Sequence, residues 1–130
     1  MMFKAFKVGT DMWRAETAFD RGNYVDAYRG YNAVRRELKK RNKATFDVDL
    51  KTAMAAQNAG LYNDARQAYD EARKGILAAK GLSLDNRNYL LSYIRHWTEL
   101  REGTFPEDGK RHFDRTKVKK RWLSEFPINW

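Results

Sequence analysis

The chain has 130 residues and a formal net charge of +9, with one third of its residues charged and no cysteine. This length suits one domain with a real core, and two prolines among 42% hydrophobic residues indicate a folded helical protein rather than a disordered one. The lack of cysteine excludes a disulfide framework, a thiolate nucleophile and a cysteine-based metal site. No apolar run approaches the length of a membrane span, so we expect a cytoplasmic protein.

The positive charge is concentrated in two parts of the chain. Residues 1–45 carry 11 basic and 5 acidic side chains, residues 46–102 carry 8 of each, and residues 103–130 carry 7 basic and 4 acidic ones. Clustered charge of one sign steers association with the opposite sign. The distribution therefore predicts an acidic partner, either a protein or a nucleic acid.

The first two predicted helices form a pair. One begins at a cap on Thr10 or Asp11 and runs to about Arg21, where Gly22 ends it. The next follows Asn23, a potential N-cap, and carries apolar residues at spacings of four, three and four. These are Ala27, Tyr31, Val34 and Leu38.

The same plan recurs further along the chain. We predict an inner helix over residues 47–58, a break at Gly60 and an outer helix over about 62–80 that ends at Gly81. Ser83 can cap a fifth helix that runs to about residue 102. Beyond a linker at 103–109, Val118 and Trp122 suggest a sixth helix.

Two segments repeat at a spacing of 38 residues. Nine identities occur without a gap, and the matched residues are mostly small or aromatic, which are the types that set how closely helices pack. The first copy contains Asp11, Ala15, Ala18, Gly22, Tyr24, Asp26, Ala27, Tyr31 and Arg35, and the second contains Asp49, Ala53, Ala56, Gly60, Tyr62, Asp64, Ala65, Tyr69 and Arg73. The repeat predicts two equivalent helix pairs.

The motifs Ala15-x-x-Ala18 and Gly22-x-Tyr24-x-x-Ala27-x-x-x-Tyr31, with their copies at Ala53 and Gly60, resemble tetratricopeptide repeats. The resemblance implies an all-α fold of antiparallel helix pairs in a short superhelix. It divides the chain into a helical repeat domain at 1–103 and a basic, aromatic C-terminal segment at 104–130. Within the domain, the repeats cover about 9–43 and 47–80, and a capping helix covers 83–102.

Members of this family commonly bind peptides in a groove lined by their inner helices. Carried over by position, the groove candidates are Met12, Glu16, Phe19, Leu50, Met54 and Gln57. In an alternative interpretation, Met12, Leu50 and Met54 pack against the fifth or sixth helix and no open groove exists.

Five cations of the second helix occupy positions i, i+1, i+4, i+5 and i+8, which places them opposite the apolar residues. They are Arg35, Arg36, Lys39, Lys40 and Lys43. We interpret them as a basic surface for an acidic protein or for phosphates, with a simply solvated helix face as the alternative.

The C-terminal segment combines cations with aromatic residues. Its candidate binding cations are Arg115, Lys119, Lys120 and Arg121, close to Trp122, Phe126 and Trp130. Three interpretations stay open: the aromatic residues dock on the repeats, the segment contacts nucleic acid or an acidic protein, or it lies on a membrane surface.

Catalytic motifs are not recognisable. His96 and His112 lack a second histidine at metal-ligand spacing, and the Gly103 to Gly109 segment does not match a phosphate-binding loop. We therefore expect a protein without catalytic residues, metal or cofactor. The sequence favours a protein-interaction module that acts by occupancy, as an adaptor, assembly factor or inhibitor. The alternative is a nucleic-acid-binding accessory protein or ribonucleoprotein subunit.

Overall fold

The computed structural model describes residues 2–98, with the side chains of residues 8–95 and 98. These residues form five helices and no strand: α1 (Met2–Asp20), α2 (Tyr24–Lys40), α3 (Phe46–Asn58), α4 (Tyr62–Ala78) and α5 (Leu84–Thr98). Successive helices pack against each other, most extensively α3 on α4 and α1 on α2, and least extensively α4 on α5. The predicted all-α fold of adjacent helix pairs is confirmed. The predicted sixth helix lies outside the described residues.

The turn within each helix pair has the same geometry in both copies. Gly22 and Gly60 adopt left-handed backbone conformations, with φ of +79° and +81°, which glycine reaches without a Cβ clash. In both turns the amide after the glycine donates to a carbonyl five residues earlier, from Asn23 to Ala18 and from Leu61 to Ala56, each at 2.8 Å. The glycine amide itself donates to a carbonyl three residues earlier, from Gly22 to Phe19 at 3.0 Å and from Gly60 to Gln57 at 3.1 Å. This pair of hydrogen bonds is typical of helices that end at a left-handed glycine. The 38-residue repeat is therefore a repeat of turn geometry as well as of sequence.

Several predicted helix boundaries need correction. Helix α1 begins at Met2 rather than near Thr10, and Val8 lies in the core four residues before Met12. Asn23 precedes α2, but its side chain makes no capping hydrogen bond. Helix α4 ends at Ala78, before Gly81. The predicted cap at Ser83 is confirmed, because its Oγ accepts from the Asn86 amide at 3.3 Å.

Helix α3 is the centre of the domain, and every residue from Phe46 to Gln57 is buried. A helix with this environment needs small residues and partners for its polar groups. Ala53, Ala55 and Ala56 supply the small surfaces, and the Thr52 hydroxyl donates to the Val48 carbonyl at 2.7 Å. The core therefore surrounds α3, and the other helices expose their outer faces.

The first helix pair crosses at a glycine. A Cβ placed on Gly30 would lie 2.8 Å from the Ala15 Cβ, which is closer than real Cβ contacts. Alanines occupy the repeat-equivalent positions of the second pair, Ala53 and Ala68, and both are buried. Small residues at these positions let paired helices approach closely.

Candidate interaction surface

Helix α2 separates its predicted basic residues into two rows. The inward row contains Arg35 and Lys39, which are four residues apart and lie toward α3 and α4. The Arg35 Nε is 2.6 Å from the Asp49 Oδ1, and the Lys39 Nζ is 3.5 Å from the Glu71 Oε2. The Arg35 side chain is 15% exposed. The prediction that Arg35 belongs to a basic surface is corrected, because its charge is used inside the domain.

The acid that pairs with Arg35 is buried in the first turn of α3. The Thr45 hydroxyl donates to the Asp49 Oδ2 at 2.9 Å, while the Oδ1 faces Arg35. Burial nevertheless raises the pKa of Asp49, and the hydrogen bond from Thr45 and the charge of Arg35 lower it less than burial raises it. Arg35 and Asp49 therefore join α2 to α3 rather than serving an external ligand.

The outward row is exposed to solvent. Arg36 and Lys40 are exposed on α2, and Arg29 extends the row toward the start of that helix. Lys43 is also exposed, but its predicted place on the helix is wrong, because α2 ends at Lys40 and Lys43 lies in the connection to α3. We call these four residues the outer cations. None of them forms an ion pair with any residue in the range 2–98. Arg29 was not among the predicted basic residues, although its spacing of seven and eleven residues to Arg36 and Lys40 places it on the same helical face.

The repeat provides an internal comparison for the outer cations. On α4, Asp70 contacts two cations: the Arg73 Nη2 at 2.9 Å and the Lys74 Nζ at 3.1 Å. Hydrogen bonds from Arg73 and Lys74 lower the pKa of Asp70. The residues that correspond to Asp70 and Glu71 in α2, 38 positions earlier, are Asn32 and Ala33. At the positions of Arg73 and Lys74, α2 keeps two cations, Arg35 and Arg36, and it lacks both acids of α4. Arg29 and Lys40 correspond to Gln67 and Ala78, so most of the outer cations are themselves particular to α2.

The predicted groove residues lie mainly in the core. Met12, Phe19, Leu50, Met54 and Gln57 are all at most 7% exposed. The Tyr93 hydroxyl on α5 is 3.1 Å from the Met54 sulfur. Glu16 is the partly exposed member of the predicted set; it accepts from the Tyr31 hydroxyl at 3.0 Å and also pairs with Lys51. The alternative in which Met12, Leu50 and Met54 pack against the fifth or sixth helix agrees with this burial, and for Met54 the contact is with Tyr93 of α5. We therefore place no partner in that groove.

A surface cavity of about 400 Å³ lies between the α2–α3 connection and the C-terminal end of α4. Buried Phe46 and Leu82 contribute apolar lining, and Gly75 and Ala78 add small surfaces. Two exposed lysines, Lys43 and Lys80, also line it, and no acidic residue does. This cavity is not evident from the sequence, because its lining comes from residues 43–46 and from residues 75–82, which are distant in the chain.

The predicted cations of the C-terminal segment lie outside the described residues, as do the aromatic residues near them. These cations are Arg115, Lys119, Lys120 and Arg121. Within the range 2–98, no group of three or more histidines and acids is arranged to hold a metal ion. None of the helices in that range combines the length and hydropathy needed to cross a membrane.

Comparison with known proteins adds no relative of this chain. No protein-family model matches it, and no curated protein or solved structure is significantly similar to it.

Proposed function

We propose that this chain is a tetratricopeptide-like, non-enzymatic interaction module of the cytoplasm. It binds an acidic surface of a larger protein through the outer cations of α2, and it acts by occupancy as an adaptor, assembly factor or inhibitor. The observation that carries the proposal is the contrast between α2 and α4. Equivalent helices share one packing plan, but only α2 has an outward row of unpaired cations.

The contrast between α2 and α4 matters because it distinguishes residues that the fold requires from residues that are available for binding. Helix α4 packs in the same plan with Asp70 and Glu71 on its surface, so the fold does not require their loss at Asn32 and Ala33. Removing acids from a row of cations leaves mutual repulsion, which a negatively charged partner relieves. Complementary charge of this kind speeds encounter and selects among partners.

The residues among the outer cations favour a protein partner over nucleic acid. Val25, which is 43% exposed, and Ala33 lie on the same face of α2 as Arg29 and Arg36. Aliphatic side chains can pack against a partner protein, whereas binding of single-stranded nucleic acid typically uses aromatic side chains that stack on bases. From Arg29 to Lys40 the row extends about 16 Å, which matches a segment of helix on the partner.

The test is an affinity capture from the native cells, with and without nuclease. The bait is the wild-type chain, and the test variant is Asn32→Asp/Ala33→Glu, which gives α2 the acids of α4 and removes no cation. We expect one protein to be retained in stoichiometric amount after nuclease treatment and to be lost with the variant. Material that disappears with nuclease would instead identify nucleic acid as the partner.

A matched pair of charge reversals controls for net charge. Arg29→Glu/Arg36→Glu/Lys40→Glu changes the outer cations, and Arg66→Glu/Arg73→Glu/Lys74→Glu makes the same charge change on α4. Only the α2 triple variant should lose the partner. Equal loss with both triples would show that total charge alone governs binding, and equal retention would remove the outer cations from the interface.

A further inference from the structure

We propose that the cavity between the α2–α3 connection and the end of α4 anchors the acidic partner by accepting one of its large apolar side chains. This inference rests on the proposed function and names the kind of segment that is bound. The occupant is an acidic peptide segment in which one large apolar residue is flanked by carboxylates. The cavity takes the apolar side chain, and Lys43 and Lys80 contact the neighbouring carboxylates.

The size and lining of the cavity suit an apolar side chain. Its volume is about 400 Å³, whereas a cavity of about 150 Å³ is enough for a benzene ring. Phe46 and Leu82 are buried beneath the surface and offer apolar contacts, and the small side chain of exposed Ala78 keeps the mouth of the cavity open. An apolar group that enters such a site leaves water and gains dispersion contacts.

The charges around the cavity select the residues that flank this apolar group. Lys43 and Lys80 are exposed, and neither forms an ion pair with a residue in the described part of the chain. Because the lining contains two lysines and no carboxylate, it complements a negatively charged segment. A neutral apolar peptide would gain nothing from either lysine.

The position of the cavity connects it to the outer cations. Lys43 belongs to both sets: it is the last outer cation and it lines the cavity. A segment bound along Arg36 and Lys40 can therefore extend past the end of α2 to Lys43 and the cavity. Anchoring one side chain in a pocket at the end of a charged row adds to the selectivity that complementary charge provides.

The experiment measures binding of two labelled peptides to the full chain by fluorescence anisotropy. The first peptide has a central leucine with four glutamates on each side, and the second has alanine in place of leucine. We expect the leucine peptide to bind the wild-type chain about tenfold more tightly, in keeping with burial of the additional apolar surface.

The decisive variant fills the cavity with a large side chain. Ala78→Trp places a large side chain in the cavity from an exposed position, and we expect it to remove the preference for leucine. The matched control is Leu77→Trp, at the preceding exposed position outside the cavity lining, which should keep the preference. Circular dichroism of both variants confirms that the helices are intact.

The outcomes separate this inference from the proposed function. Equal affinity for the two peptides, or a preference that survives in Ala78→Trp, would overturn the cavity proposal. If the two peptides bind the wild-type chain with equal affinity and Arg29→Glu/Arg36→Glu/Lys40→Glu loses that binding, the outer cations bind the acidic segment without the cavity. If neither peptide binds, the cavity does not anchor acidic segments. The capture from native cells tests the proposed function independently of this result.

Discussion

The Arg35 guanidinium on α2 and the Asp49 carboxylate on α3 form an ion pair at 2.6 Å, with side chains that are 15% and 2% exposed. The two residues come from successive helix pairs, so their contact joins one repeat to the next. A buried ion pair contributes little net stability relative to a well-packed apolar pair, but removing one partner leaves a costly charge. The pair therefore makes the interface between the repeats sensitive to single substitutions.

Arg35→Met should destabilise the domain by about 3 kcal/mol, because it leaves the Asp49 carboxylate buried without its cation. The double variant Arg35→Met/Asp49→Asn should be more stable than Arg35→Met alone, since no buried charge remains. Arg36→Met, one position along on the exposed face, should change stability by less than about 0.5 kcal/mol. Urea unfolding measures all three. Strictly additive effects of the Arg35 and Asp49 substitutions would contradict the coupling.

The buried Asp49 also predicts an unusual pH dependence. Burial raises the pKa of Asp49 in the folded state above its ordinary value, so between these two pKa values the folded state binds more protons than the unfolded state. The contribution of Asp49 to the free energy of unfolding is thus fully present at low pH, and it is lost as the pH rises through the pKa of Asp49 in the folded state. Lowering the pH from 7 toward 4 should increase the stability of the wild type relative to Asp49→Asn.

Comparing the wild type with Asp49→Asn isolates the titration of Asp49 from that of the groups around it. Thr45, Arg35, Lys39 and Glu71 all act on its pKa and are retained in both proteins. Subtracting the unfolding free energy of Asp49→Asn at each pH therefore cancels most titration elsewhere. A difference that falls as the pH is lowered would mean that Arg35 outweighs burial.

Gly30→Ala should destabilise the domain by about 1–3 kcal/mol, although alanine is the better helix former. The new Cβ would lie 2.8 Å from the Ala15 Cβ, so α1 and α2 must move apart. Ala15→Gly in the same chain should recover part of the loss. Gly9→Ala is the control, because a Cβ there meets nothing within 4 Å, and it should stabilise α1 by up to about 1 kcal/mol. Thermal unfolding of the four proteins checks the order, and a stabilised Gly30→Ala would disprove the close crossing.

Arg87 on α5 caps the end of α4, and Arg87→Lys should loosen that end. The guanidinium donates to three carbonyls, those of Ile76 at 2.7 Å, Leu77 at 2.8 Å and Ala79 at 2.6 Å. A lysine cannot reproduce this planar arrangement of donors, so we expect a loss of about 1–2 kcal/mol. Amide hydrogen exchange should accelerate in the last turn of α4 and stay unchanged in α3. Uniform protection in wild type and variant would show that the cap is dispensable.

The sequence alone determined the number and approximate place of the helices in the described part of the chain, as well as the two turns that repeat. Helical periodicity specified which residues of α2 face the core, and the glycines at positions 22 and 60 marked turns that only glycine adopts easily. Both are local properties, which depend on residues close together in the chain and can therefore be predicted from the sequence. The same reasoning placed the start of α1 too late, because Thr10 and Asp11 resemble an N-cap although Val8 continues the apolar spacing before Met12.

Which cations contact a neighbouring helix and which face solvent depends on how the helices pack. Arg35 and Arg36 are adjacent in sequence and point about 100° apart on a helix. One meets Asp49 because α3 packs on that side, and the other meets solvent. The cavity is likewise formed by connections that are distant in the chain. Helical periodicity specifies the direction in which a side chain leaves its own helix. The position of the neighbouring helices determines which residues that side chain contacts.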